Sequence, residues 1–182
     1  SGIVIIKSTL PVGSCDIFIK EYGLNLVYNP EFLRESKTPF EDFENQAYVV
    51  IGTSNENLFF SVKSLYESVL ANSTNYHKVS FKEGEMIKYS QNATLSSRVA
   101  ISNVIFDACQ YYELDYNVIR KLAFDECDLL GPNMVEVPGP DGKRGFGGKC
   151  LPKDTAGFNS IYDSLVFSSI IKYNNTLRDD LE

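Results

Sequence analysis

The sequence predicts an α/β protein whose first part is the C-terminal half of a doubly wound parallel sheet, followed by an all-α helical domain with a long central helix. Apolar runs rich in β-branched residues alternate with helical spacing over the first 70 residues, which is typical of buried parallel strands. After residue 75 the spacing becomes helical almost throughout. We therefore expect two domains, at residues 1–80 and 81–182.

The first domain contains three predicted strands, at residues 3–6, 24–28 and 47–51. Helical spacing follows the first strand over about 14–22 and the third over about 55–70. The order strand, helix, strand, strand, helix matches the back half of a doubly wound sheet. Thr9 lies in the turn after the first strand, and open α/β sheets bind ligands at the carboxyl ends of their strands.

The second domain begins with a predicted amphipathic helix over residues 82–113, long enough to act as a spine between domains or subunits. A second helix is predicted at 117–124 and a glycine- and proline-rich loop at 129–149. Helical spacing resumes at 154–162 and 164–181.

Composition limits the class of partner. The 182 residues carry a formal net charge of −7, which argues against nucleic acid or an anionic membrane surface but not against nucleotides. No apolar run reaches membrane-spanning length, and the first residues lack the pattern of a signal peptide, so we expect neither a membrane span nor a secretory signal. Four scattered cysteines and one histidine predict no metal site and suggest a reducing compartment, so we expect a cytoplasmic protein.

Residues 145–154 read Gly-Phe-Gly-Gly-Lys-Cys-Leu-Pro-Lys-Asp and form the most informative segment. Glycines permit backbone conformations that a Cβ forbids, so Cys150 is expected on a tight loop. Lys153 and Asp154 follow it closely, and a nearby cation favours the nucleophilic thiolate. The alternative is a glycine-rich turn that carries a buried free cysteine.

Two further motifs carry polar side chains. Lys88 and Asn92 are four residues apart in the long helix and can point at one ligand, although an exposed Glu–Lys pair beside an asparagine is an alternative. Glu31 follows the second strand, where Pro30 and an acid also suit an ordinary helix start. His77 lies on a predicted linker and is expected to be structural or exposed.

The segments 7–13, 29–35, 85–92 and 145–154, in this order, resemble the UDP-glucose 6-dehydrogenase group of the UDP-glucose/GDP-mannose dehydrogenase family. The resemblance implies half of a Rossmann-like NAD-binding domain joined to the helical domain, and a homodimer formed through the long helix. It also implies an NAD-dependent, two-step oxidation of a UDP-sugar's primary alcohol to a carboxylate, without release of the aldehyde.

The resemblance assigns roles to residues of this chain. Cys150 matches the nucleophile that forms a thiohemiacetal and then a thioester, and Lys88 matches the lysine that stabilises the oxyanion. Asn92 would hold the sugar or that oxygen, Asp154 would position or deprotonate a water, and Glu31 would assist thioester hydrolysis. Substrate-binding positions are Glu31, Phe32, Leu33, Arg34, Lys88, Asn92, Gly147 and the loop 139–143; positions near NAD are Thr9, Glu35 and Lys153.

The sequence departs from the family pattern in several places. The Gly-x-Gly-x-x-Gly unit that holds the pyrophosphate and the C-terminal domain that closes over UDP are absent from these residues, so we expect the middle of such an enzyme, inactive alone. Residues 128–131 read Asp-Leu-Leu-Gly where many relatives have an Arg-Ile pair, and Val104 stands where an acid often follows the helix asparagine.

Three alternatives remain at this point. Within the family, the substrate can instead be a UDP-N-acetylhexosamine or GDP-mannose. A non-catalytic dimerisation module derived from such an enzyme predicts that Cys150→Ala has no functional effect. A cysteine hydrolase would need a histidine beside Cys150, and His77 is the single histidine of the sequence.

Overall fold

The computed structural model describes residues 2–33 and 38–178. The chain divides into two compact units, Ser1–Tyr89 and Ser90–Glu182. The division falls inside the long helix, and the predicted domain limits of 1–80 and 81–182 stay a prediction.

The first unit contains a four-stranded sheet in the order β1-β2-β3-β4. The strands are β1 Val4–Ile6, β2 Leu26–Tyr28, β3 Tyr48–Gly52 and β4 Asn75–Val79. The helices are α1 Ser14–Tyr22, α2 Pro39–Glu44 and α3 Glu56–Glu67, and α4 begins at Phe81. The pairs β1–β2 and β3–β4 are parallel, whereas β2 and β3 meet in an antiparallel bridge between Tyr28 and Gly52.

This arrangement confirms the predicted fold class, a mostly parallel sheet with helices followed by a helical region, and differs from the prediction in two details. The β2–β3 pair is antiparallel, and the segment between these strands holds only the short α2; antiparallel neighbours do not need the long crossover of a parallel pair. The predicted linker that carries His77 is wrong, because residues 75–79 form β4, whose side chains are exposed or only half-buried.

Alternation along β2 separates two apolar clusters. Val27 packs with β3 and α3 through Val49, Ile51 and Val62. Leu26 and Tyr28 pack instead with Cys15 of α1 and with Phe81. Because successive strand residues point to opposite faces, both faces of β2 are covered, and this explains why its three residues are all apolar and buried.

Glu85 fixes the start of α1. Its side chain is fully buried, and its carboxylate accepts the backbone N–H of Gly13 at 2.5 Å and of Cys15 at 2.9 Å. These are N–H groups that a helix start leaves without a partner inside the helix. Gly13 has a φ of 93°, which glycine adopts without strain. A residue of α4 therefore caps α1.

The second unit consists of helices and one long loop. The helix α4 spans Phe81–Tyr111 in full, α5 spans Tyr116–Arg120 and continues into a π-helical turn Lys121–Asp125, α6 spans Leu151–Ile161 and α7 spans Leu165–Arg178. The predicted helix at 117–124 corresponds to α5 and the π-helical turn. The helix α6 begins three residues before the predicted start, because Pro152 is tolerated in a first helical turn.

The loop between the π-helical turn and α6 is held from α4 and α7. Asn174 accepts the N–H of Phe146 at 2.7 Å and donates to its carbonyl at 3.1 Å. Asn103 accepts the N–H of Gly145 at 3.2 Å. Arg178 donates to the Gly145 carbonyl and pairs with Asp141, both at 2.7 Å. The loop backbone is thus fixed at Gly145 and Phe146, five and four residues before Cys150.

We predict that Glu85→Gln lowers the free energy of unfolding by about 1–3 kcal/mol, because an amide leaves one N–H at the start of α1 facing another donor. Urea unfolding followed by circular dichroism measures the change. Glu83→Gln is the control: Glu83 is exposed, and its carboxylate accepts the N–H of Ser80, the residue before α4, so its loss is smaller. Equal losses in the two variants contradict the capping role of Glu85.

We predict that Gly145→Ala destabilises the chain more than Gly142→Ala. Both glycines have positive φ, 71° and 74°, so both alanines bear a backbone cost of about 1–2 kcal/mol. An added Cβ at Gly145 lies 2.5 Å from Asn174 Oδ1, whereas the same atom at Gly142 has nothing within 4 Å. The clash adds about 1–3 kcal/mol. Thermal unfolding of the two variants checks the order.

Candidate functional site

Polar side chains meet at the carboxyl ends of β1 and β2. The parallel pairing places Ile6 opposite Tyr28, so the residues that follow each strand are neighbours. Lys7 Nζ lies 3.0 Å from Asn29 Oδ1, 3.0 Å from the Tyr66 hydroxyl and 3.2 Å from Glu31 Oε2. Tyr66 also donates a short hydrogen bond to Asn29 Oδ1. This strand-end cluster therefore consists of Lys7, Asn29, Glu31 and Tyr66.

Glu31 is a well-hydrogen-bonded carboxylate. Its Oε1 accepts the backbone N–H groups of Phe32 at 2.9 Å and Leu33 at 3.0 Å. Partial burial by itself raises the pKa of Glu31, but the Leu33 N–H, the Lys7 ammonium and the Phe32 N–H together outweigh it and lower the pKa below its ordinary value. Glu31 is therefore ionised at neutral pH.

Lys88 joins this cluster from α4. Its Nζ donates to the main-chain carbonyl of Glu31 at 2.5 Å and lies 5.4 Å from the centre of the Phe32 ring. The structure thus brings together three residues singled out in the sequence: Glu31, Phe32 and Lys88. An ammonium held by a carbonyl and an aromatic face is a suitable donor to a negatively charged oxygen.

The remaining predicted residues of the first unit are Thr9 and Leu33, both half-buried, and the pair Arg34 and Glu35. Thr9 follows β1 in the turn that leads to α1. Leu33 contributes its N–H to the Glu31 carboxylate. Arg34 and Glu35 lie outside the described residues.

A buried carboxylate marks the second unit. Asp154 is 1% exposed and accepts a short hydrogen bond from Asn92 Nδ2. Lys153 pairs with it at 2.5 Å, and the Asp154 N–H donates to the Cys150 carbonyl at 2.8 Å. The structure therefore brings the predicted residues Asn92, Lys153 and Asp154 together, and Asp154 lies one helical turn after Cys150. A buried carboxylate with such partners suits proton transfer or water positioning.

Cys150 is the residue immediately before α6, and its side chain is exposed. The described ranges include all four cysteines, and the others are buried or partly buried. Burial, and then the neighbouring Glu85, raises the pKa of the Cys15 thiol, which makes it unreactive. Accessibility therefore favours Cys150 as the reactive thiol, and the alternative of a buried cysteine in a glycine-rich turn is wrong.

Gly147 packs against α7. A Cβ added there lies 2.7 Å from Arg178 Nη1, so glycine lets the loop approach the guanidinium. Arg178 Nη1 and Nη2 are themselves fixed by Asp141 and the Gly145 carbonyl. The contact of Gly147 with substrate stays a prediction.

Sequence reasoning did not identify Lys7, Asn29 and Tyr66 as partners of Glu31, although it quoted the segments that contain the first two. A signal existed for Lys7 and Asn29, because each directly follows a strand of a predicted parallel pair. Tyr66 carried no such signal, since it lies on α3, 59 residues from Lys7. Glu85 belongs to the segment 85–92 singled out in the sequence. Its contact with the start of α1 was not predicted, because it joins residues about 70 positions apart.

Other classes of site have little support in the described part of the chain. Within it, no cluster of three or more His, Cys, Asp or Glu side chains is arranged to hold a metal ion. None of its helices has the length and apolar character needed to span a bilayer. His77 is exposed on β4, with its ring 6.1 Å from that of Tyr48.

The first unit fits part of a dinucleotide site. Thr9 and the strand-end cluster lie where open α/β sheets bind ligands. The N-terminus of α1, however, is already occupied by the Glu85 carboxylate, so it does not offer the free N–H groups that bind a pyrophosphate. The residues present therefore suit contacts with NAD other than those of its pyrophosphate.

Two family models match the chain. Residues 1–70 match the NAD binding domain of the UDP-glucose/GDP-mannose dehydrogenase family. Residues 82–176, just over half of the chain, match the central domain of the same family. These matches confirm the resemblance and NAD as the family's cofactor.

Similar proteins carry related names. UDP-glucose 6-dehydrogenase of Rickettsia typhi is 30% identical over 94% of this chain and 40% of its own length. The enzyme of the same name from Bacillus subtilis is 28% identical over 95% of the chain and 40% of its own length. This chain thus spans about two fifths of these relatives.

Solved structures agree on the fold. A UDP-glucose dehydrogenase from Pyrobaculum islandicum superposes with a TM-score of 0.79 at 25% identity, over 96% of this chain and 41% of that one. A UDP-D-ManNAc dehydrogenase from Pyrococcus horikoshii gives 0.81 at 19% identity, over 98% and 43% of the two chains. From the two family-model matches and these relatives together, the chain belongs to the UDP-glucose/GDP-mannose dehydrogenase family.

Proposed function

We propose that this chain forms the central part of an NAD-dependent UDP-sugar 6-dehydrogenase that oxidises UDP-glucose to UDP-glucuronate in two steps. The observation that carries the proposal is the exposed Cys150 at the start of α6, one turn before the buried Asp154. An accessible thiol beside a fixed carboxylate suits covalent capture of an aldehyde followed by hydrolysis. The family membership supports the same chemistry.

The covalent steps use the sulfur of Cys150. The thiolate adds to the carbon of the bound aldehyde, and the new C–S bond gives a thiohemiacetal. Loss of a hydride from that carbon and of the proton from its hydroxyl gives a thioester. Water attacks the thioester and gives up its protons, so that the C–S bond breaks and the thiolate is restored as the carboxylate product leaves. NAD, when bound, accepts the hydride of each oxidation.

The other proposed residues act on oxygen atoms of the substrate or on water. Lys88 stabilises the oxyanion that forms at the reacting carbon, and Asn92 holds the sugar or that oxygen. Asp154 positions or deprotonates the attacking water, and Glu31 assists hydrolysis of the thioester as a carboxylate. The hydrogen bonds of Asn92 to Asp154 and of Lys88 to the Glu31 carbonyl support this division of roles.

Binding roles follow the sequence-based assignment. We assign Thr9 and Lys153 to NAD contacts and Phe32, Leu33 and Gly147 to the sugar nucleotide. Arg34 belongs with the substrate residues and Glu35 with the NAD residues. The proposed compartment is the cytoplasm, because the mechanism needs a reduced thiol.

We also propose a homodimer through α4. Ile101 and Val104 of this helix are 56% and 52% exposed, although they are large apolar side chains. They lie three residues apart on one face of the helix, and a contiguous exposed apolar patch marks a surface for protein contact. Pairing two copies of α4 removes this surface from water.

A UDP-N-acetylhexosamine or GDP-mannose dehydrogenase is the second candidate. A solved UDP-D-ManNAc dehydrogenase is 19% identical to this chain. At that identity the likeness supports a shared fold and says nothing about the substrate. The curated relatives at 28–30% identity are named for UDP-glucose, and this favours UDP-glucose as the substrate.

We predict that Cys150→Ala abolishes formation of UDP-glucuronate by the full-length protein that carries this chain, with a rate loss of at least about a thousandfold. The unaltered protein is expected to form two NADH per sugar. NADH absorbance and chromatography of the nucleotide sugars measure both. Cys127→Ala is the matched control and should keep the activity. Full activity in Cys150→Ala supports the non-catalytic module and contradicts the proposal.

We predict that Asp154→Asn lowers kcat by about a hundredfold to ten-thousandfold with a small change in KM, because the amide cannot accept a proton. Steady-state kinetics on the full-length protein measure the two parameters. Thermal unfolding in parallel separates this effect from loss of folded protein. Asp163→Asn, at an exposed position before α7, is the control and should leave both parameters unchanged. A normal kcat in folded Asp154→Asn excludes the role in hydrolysis.

A further inference from the structure

We propose that Lys7 is a positioning residue that holds the Glu31 carboxylate charged and fixed, with one acceptor position left for a water or a substrate hydroxyl. The inference rests on the proposed function for its catalytic meaning. Its geometric basis is independent of that function, because it concerns contacts within the strand-end cluster alone.

Each N–H group of the Lys7 ammonium has a hydrogen-bond acceptor within reach. An ammonium carries three N–H groups, and Nζ of Lys7 lies within 3.0–3.2 Å of Asn29 Oδ1, the Tyr66 hydroxyl and Glu31 Oε2. Asn29 is itself fixed, because its Nδ2 donates to the Val50 carbonyl of β3 at 2.8 Å. Tyr66 is buried on α3. Lys7 is therefore held by Asn29, directly after β2, and by Tyr66 of α3 while it contacts the carboxylate.

The Glu31 carboxylate can accept few hydrogen bonds beyond these contacts. A carboxylate offers about four lone-pair positions. The N–H groups of Phe32 and Leu33 occupy both positions of Oε1, and Lys7 occupies one of Oε2. Contacts with described residues thus leave one position on Oε2. Glu31 is 34% exposed at its side chain, so water or a ligand can reach it.

The charged and titratable groups around Glu31 come from several elements. Lys7 follows β1, Tyr66 belongs to α3, and Lys88 of α4 bonds the main-chain carbonyl of Glu31. Fixing the carboxylate through Lys7 and the carbonyl through Lys88 orients the whole residue. Lys88 thus holds the main chain of Glu31, and Lys7 holds its side-chain carboxylate, the group that would accept a proton.

The alternative is that Lys7 forms an ordinary surface ion pair, since its side chain is 42% exposed. The two explanations differ in the titration of Glu31. A positioning cation lowers the pH at which the carboxylate takes up a proton, whereas an ordinary surface pair adds a little stability and leaves that pH almost unchanged.

The experiment is an NMR titration of the 182-residue chain with ¹³C-labelled glutamate carboxyls, in which the Glu31 signal is assigned through Glu31→Gln. We expect Lys7→Met to raise the titration midpoint of Glu31 by about one pH unit, a tenfold gain in proton affinity. Lys7→Arg should restore a midpoint close to that of the unaltered chain. Lys63→Met is the control: it removes the partner of Glu67 on α3 and should not move the Glu31 midpoint.

An unchanged Glu31 midpoint in folded Lys7→Met overturns the proposal. Should that variant fail to fold, the unaltered chain provides a second test, since 1 M NaCl screens a partly exposed pair and should raise the midpoint. A midpoint that does not depend on salt then overturns the proposal as well.

Activity provides a separate readout. If the full-length protein oxidises UDP-glucose, the acid limb of its kcat–pH profile should move to higher pH in Lys7→Met by the shift seen in the NMR titration, and Lys7→Arg should reverse it. If the acid limb stays in place while the NMR midpoint moves, the Lys7–Glu31 contact has no role in catalysis. If the unaltered protein does not oxidise UDP-glucose, the proposed function fails, and the NMR titration still decides the role of Lys7.

Discussion

The parallel pairing of β1 with β2 determines where the polar groups of the first unit meet. Its register puts Lys7 beside Asn29, and the main chain then turns so that Glu31 reaches the same ammonium. The cluster is possible because each strand ends with a polar residue at the same edge of the sheet, while the strands themselves are apolar. A change of register by one residue would send these side chains to opposite faces and separate the cation from the carboxylate.

The second unit obeys a different constraint, the need to satisfy a buried charge. Asp154 is almost fully removed from water, and such a carboxylate is tolerated only with hydrogen-bond partners. Asn92 of α4 and Lys153 supply them, so the start of α6 is tied to α4. The loop before α6 is held by Asn103 and Asn174, and both ends of the segment that carries Cys150 are therefore fixed.

The apolar runs sufficed to predict β1, β2, β3 and the long helix. Of these strands β2 is buried along its whole length, whereas β1 is exposed or half-buried, so the expectation that the first strand is buried is wrong. The strand β4 escaped prediction because its Asn-Tyr-His-Lys-Val sequence is exposed or half-buried and lacks the regular alternation of a buried strand. The direction of β3 relative to β2 could not be predicted either, because the residue pattern within a strand does not say which strand it pairs with. The β2–β3 pair is antiparallel. The motifs located Glu31, Lys88 and Asp154, but the partners Tyr66 and Lys7 depend on contacts between distant segments.

The close approach of Gly147 to Arg178 couples two positions that lie 31 residues apart in the sequence. A side chain at position 147 has room only after the guanidinium is shortened or withdrawn, and that change gives up the contacts with Asp141 and the Gly145 carbonyl. Replacing Gly147 while Arg178 is kept creates the clash, and replacing Arg178 while Gly147 is kept loses its two contacts. We therefore expect a larger residue at position 147 to be tolerated best together with a shorter side chain at position 178.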